Sequence, residues 1–64
     1  MRADKQKLEL EMARSCVNLK DVIKTANIPE STFKNVLTGR SVRPATLGRV
    51  ARALGVDVTN IMEG

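Results

Sequence analysis

The chain has 64 residues and a formal charge of +4, and its single Cys and lack of His exclude an internal disulfide framework and a His/Cys zinc site. Its longest apolar stretches are only a few residues, so neither a transmembrane span nor a secretory signal is expected, and the unpaired Cys points to the cytoplasm. One domain over residues 1–64 must therefore draw its stability from efficient helix packing, or from a dimer.

Residues 1–6 are polar and are expected to fray. Leu8, Met12, Ser15 and Cys16 then fit one face of a first helix, with Leu10, Ala13 and Val17 alongside, and this helix should stop near Ser15. Cys16 is expected to act as a small buried hydrophobe rather than a reactive thiol.

Asn18 is a good N-cap for a second helix, and Asp21 falls in its first turn, where the helix dipole favours an anion. Leu19, Val22, Ile23 and Ala26 recur at i, i+3, i+4 and i+7, and Asn27 tolerates the left-handed conformation that closes such a helix. Pro29 suits a helix start, where a missing N–H is harmless. The third helix should run through Phe33, Val36 and Leu37, with Gly39 as its left-handed stop.

Arg40 to Arg43 form a loop, and Pro44 opens a fourth helix whose Leu47, Val50, Ala51 and Leu54 again follow helical spacing up to Gly55. That stripe is core, with a possible dimer contact beside it near the next helix. Asp57 is placed to cap a short fifth helix that buries Ile61 and Met62. The expected fold is thus all-α, a compact bundle of five short helices with no strand.

Charge is distributed unevenly over these elements. From Ile28 to Ala53 the cations Lys34, Arg40, Arg43, Arg49 and Arg52 face one anion, Glu30, whereas the first 27 residues mix six cations with four anions. A positive field centred on the third helix and its loop suits a polyanion, although a solvated surface would look the same by charge alone. Phe33 is the sole aromatic residue, which argues against a stacking platform for single-stranded nucleic acid.

The second helix at 18–26, the turn at Asn27, the third helix at 29–37, Thr38-Gly39-Arg40, Arg43-Pro44 and the run Leu47 to Val56 together resemble the phage repressor/Cro type of helix-turn-helix domain, the Xre family. The resemblance covers nearly the whole chain and is most specific in the Gly39-to-Pro44 loop and the Ala-Leu-Gly-Val ending of the fourth helix. It implies a lambda-repressor-like fold, double-stranded DNA as partner, and a homodimer on a two-fold symmetric operator. It implies no cofactor, and no effector pocket for a small molecule is visible.

Several positions depart from that family's pattern. Leu19 stands where Gln usually braces a phosphate, Ile23 where a small Ala lets the two helices cross, Asn27 where Gly makes the turn, and Cys16 where Gly often precedes the second helix. Met12 and Leu37 replace a buried Arg–Glu pair of some relatives. That exchange is physically reasonable, because a buried ion pair often only breaks even against packed apolar side chains.

If the third helix enters the major groove, its outward residues are Glu30, Ser31, Lys34 and Asn35. The resemblance gives Glu30, Ser31 and Asn35 the main base-reading positions, with Pro29 near the groove edge. Asn35 has the chemistry to pair with adenine, Lys34 to donate to guanine and Glu30 to accept from a cytosine amino group. Glu30 could equally complement the helix dipole, and Ser31 and Asn35 could simply be solvated.

Phosphate contacts would come from Asn18 and the first N–H groups of the second helix, from Lys20, and from Thr38, Arg40, Ser41 and Arg43. Arg49 and Arg52, three apart on the fourth helix, either join them or solubilise its outer face. A rival class is a protein-interaction module on the same fold, such as an antitoxin-like subunit. An enzyme is the weakest class: without His, Tyr or paired carboxylates, no acid, base or nucleophile can be assigned.

Overall fold

Capping residues divide the chain. In a computed structural model, which describes residues 1–63, helix α1 spans Lys5–Ser15, α2 Leu19–Ala26, α3 Glu30–Leu37 and α4 Pro44–Leu54. Gly64, the last residue of the expected domain range, lies outside the described residues. Asp4 starts α1 by accepting the Lys7 N–H on its carboxylate at 3.1 Å. The Asn18 N–H donates to the Asp21 carboxylate at 3.0 Å, half of a capping box that fixes the start of α2. Pro29 sits one residue outside α3, in extended conformation, and its carbonyl accepts the Phe33 N–H.

Every helix ends on a left-handed residue, at Cys16, Asn27, Gly39 and Gly55. In each case the following N–H reaches back five residues: Val17 to Met12, Ile28 to Ile23, Arg40 to Asn35, and Val56 to Ala51. This closure satisfies carbonyls that the last helical turn leaves unpaired.

The expected fifth helix is a single 3₁₀ turn at Val58–Asn60, so four α-helices form, not five. Asp57 does cap it. Its carboxylate accepts both the backbone N–H and the hydroxyl of Thr59, an ordinary N-cap arrangement. The element ends at its other side, where the Ile61 carbonyl accepts the Asp4 N–H and Met62 bridges to Ala3. Ile61 then leaves the helical region at φ −125° and is fully buried, while Met62 is partly buried.

The core collects Leu8, Val22, Ala26, Phe33, Val36, Leu47, Val50, Ala51, Leu54 and Ile61, so the stripes of α2, α3 and α4 face inward. Helix α4 packs against α2, α1 and the 3₁₀ turn, and α1 also meets α3. Phe33 is fully buried, and truncating a ring so placed to Ala costs about 3–5 kcal/mol. A domain of this size has little more stability than that in total.

Two expectations for the first helix fail. Its inward face is Leu8 and Glu11 with Met12 partly covered, while Leu10 is 52% exposed. Leu10 follows Leu8 by two residues, about 200° around the helix, so it cannot share that face. Cys16 is exposed rather than buried, because it occupies the left-handed position past the end of α1.

The N-terminal segment, expected to fray, is paired through its backbone with the end of the chain and with the loop before α4. Ala3 is 2% exposed and bridges antiparallel to Met62, with the Asp4 N–H donating to Ile61 at 2.7 Å and the Glu63 N–H to Arg2 at 2.9 Å. Met1 and Val42 also exchange backbone hydrogen bonds, at 2.7 and 2.9 Å. These ties use backbone atoms and bury only an alanine, so side-chain patterning carries no sign of them.

Candidate nucleic-acid interface

Helix α3 buries Phe33 and Val36 completely and Leu37 in part. Helical geometry therefore turns Glu30, Ser31, Lys34 and Asn35 the other way, and all four are exposed. They form one continuous strip two turns long. The strip is polar and close to neutral, because Glu30 and Lys34 form an ion pair of 3.2 Å across one turn. Their i, i+4 spacing is the sequence signal for that pair.

Thr38 closes the helix. Its hydroxyl lies 3.0 Å from the Lys34 carbonyl and 3.2 Å from that of Asn35, and donates its proton within the helix end. Beyond it, Arg40, Ser41 and Arg43 are exposed on the loop to α4, and Val42 between them is half-buried. The Met1–Val42 backbone pair holds this loop against the body of the domain. Arg43 is also the N-cap residue of α4, and its carbonyl accepts from Thr46 and Leu47. The backbone carrying the two loop arginines is thus fixed from both sides.

At the start of α2, Asn18 and Lys20 are exposed. The Asp21 carboxylate sits at the same helix end, where it complements the positive pole of the helix. It also places an anion beside the groups expected to meet a phosphate.

Arg49 and Arg52 are exposed on the outer face of α4 and border a depression of about 400 Å³ with Thr25 and Asn27. A second depression, of about 290 Å³, joins Arg49 to Arg43, Pro29 and Thr32. Among the described residues the only ion pairs are Lys34–Glu30 and Arg14–Glu11, so Arg40, Arg43, Arg49 and Arg52 keep their charge uncompensated by contact. No helix of the described residues is long and apolar enough to cross a membrane.

A family model for the Cro/C1-type helix-turn-helix DNA-binding domain matches residues 7–63. The chain belongs to this family. No curated protein and no solved structure matches it. The match takes in α1 from Lys7 onward, the other three helices and the 3₁₀ turn of this Cro/C1-type domain, together with the Gly39-to-Pro44 loop. It leaves out Met1 to Gln6, the segment whose backbone ties to Val42 and Ile61 sequence patterning did not reveal.

Proposed function

We propose that this Cro/C1-type domain is a sequence-specific transcriptional regulator, a repressor that binds a palindromic operator in double-stranded DNA as a dimer. The observation that supports this reading best is the exposed strip Glu30–Ser31–Lys34–Asn35 backed by the buried Phe33 and Val36, with loop arginines that form no ion pair among the described residues. A short helix anchored along one side and polar along the other is suited to the major groove.

In this reading Asn35 pairs with adenine, Ser31 donates to a neighbouring base edge, and Lys34 and Glu30 face a G·C pair. Asn18, Lys20, Arg40, Ser41 and Arg43 hold phosphates and set register. Thr38 joins them only by turning its hydroxyl from the carbonyls of Lys34 and Asn35. A two-fold dimer sets the α3 strips about 34 Å apart, one helical turn of DNA. Affinity then falls with salt by roughly 0.9 log units per log unit for each phosphate neutralised.

The test is selection of bound sequences from a random duplex pool, with Asn35→Ala and Arg43→Ala proteins in parallel. Wild type should enrich a palindrome. Asn35→Ala should relax the preference at one base pair, worth about 1–3 kcal/mol, while Arg43→Ala should weaken all duplexes alike. If Ser31 and Asn35 substitutions leave function intact and no duplex is enriched, a protein-interaction module is the better account.

A further inference from the structure

We infer that Glu30 governs the selectivity of the α3 strip by masking Lys34, so that the lysine charge works only on a duplex able to engage both ions. The inference rests on the proposal that α3 reads DNA. Glu30 Oε2 lies 3.2 Å from Lys34 Nζ, one turn further along the same outward face, with side chains 57% and 63% exposed. No other ion pair forms on α3 among the described residues. Glu30 also stands in the first turn of α3, where the helix dipole favours a carboxylate over its neutral form.

The electrostatic consequence differs between arbitrary and matched DNA. On arbitrary DNA, a phosphate that approaches Lys34 also approaches Glu30. The pair is neutral overall, so it releases no counterion of its own and contributes nothing to non-specific binding. A G·C pair offers something else in the major groove: the cytosine amino group donates, and guanine O6 and N7 accept. Glu30 can accept from the first while Lys34 donates to the second, so both ions keep a partner when their mutual contact opens. An exposed i, i+4 pair is weak and opens readily. The carboxylate therefore acts mainly by penalising wrong sequences, which is discrimination by repulsion.

The experiment measures binding of wild type, Glu30→Gln, Lys34→Gln and the double variant to two duplexes over a range of salt. One duplex is the sequence enriched by the wild type, and the other is a shuffled duplex of equal composition. Circular dichroism checks that each variant is folded.

Glu30→Gln should steepen the salt dependence on the shuffled duplex by roughly 0.9 log units per log unit, an extra threefold or so of tightening from about 200 to about 50 mM salt. Binding to the enriched duplex should not tighten with it, so the specificity ratio falls, and the G·C preference at that position should relax. In the Lys34→Gln background the same substitution should leave the salt slope unchanged. An equal slope change with and without Lys34, or none at all in Glu30→Gln, overturns the inference. A wild-type protein that does not discriminate between the two duplexes overturns the reading of α3 itself, and this inference with it.

Discussion

Cys16 holds φ at 55° without glycine's freedom, and Asn27 does the same at 56°. The two positions are not equivalent, because Asn visits the left-handed region far more readily than Cys. Replacing Cys16 with Gly should therefore raise stability by up to about 1 kcal/mol, glycine's greater unfolded-state freedom offsetting part of the relieved strain. In thermal melting that corresponds to a rise of roughly 4–8 °C per kcal/mol for a domain of this size. A lower melting temperature in Cys16→Gly would mean that contacts of the exposed side chain outweigh the backbone strain. The burial first expected for Cys16 rests on the general preference of cysteine for interiors. Its place just past the last turn of α1 decides otherwise, and the only local hint is that relatives often carry Gly there.

At the scale of elements, caps are the most legible feature. Asp57, Pro44, Gly39 and Gly55 act where their chemistry suggests, and Asn18 stands at the N-cap of α2 with its N–H held by Asp21. The 3₁₀ turn makes that chemistry testable by pH. Hydrogen bonds from the Thr59 hydroxyl and then from its backbone N–H hold the Asp57 carboxyl below its ordinary value of 3.8. A lowered folded-state value means that the cap adds stability above about pH 3.8 and loses it as pH falls through the lower, folded value. Asp57→Asn keeps an acceptor oxygen but cannot titrate, so its melting temperature should fall less steeply with acid below pH 3.8 than that of wild type. Parallel acid limbs in the two proteins would contradict this role.

The apolar stripes of α2, α3 and α4 could be read directly, since each has Leu, Ile, Val or Phe at helical spacing and few apolar residues elsewhere. Helix α1 was harder. It carries Leu10 outward and Glu11 inward, so hydrophobicity misplaces its face. The length of the last element is illegible for a different reason: the backbone pairing of Ile61 and Met62 with Asp4 and Ala3 that takes the chain out of the helix after one turn leaves no trace in the side-chain pattern.

For the molecule as a whole, the link between its two ends and the loop is what the sequence hides. Residues 1–4 pair with Met62, Ile61 and Val42, so the segment expected to fray joins the C-terminal turn to the backbone between Arg40 and Arg43. Backbone pairing of this kind has no side-chain signature. The charge distribution, by contrast, is plain in the sequence, with net positive charge concentrated from α3 through α4 because Glu30 is the one anion there. The structure adds that Lys34 alone among those cations is paired among the described residues, which divides the surface into a near-neutral strip and a cationic loop. In the proposed function this division separates base reading on the strip from phosphate attraction on the loop.

The most direct measurement is a titration of the isotope-labelled protein with the duplex it enriches, following backbone amide shifts by NMR. The largest shifts should fall on Glu30 to Asn35, on Asn18 to Lys20 and on Arg40 to Arg43, while Leu10 and Arg14 on the outer side of α1 stay nearly still. Shifts centred on the Leu10 side of α1, with the α3 strip unmoved, would contradict the proposed function.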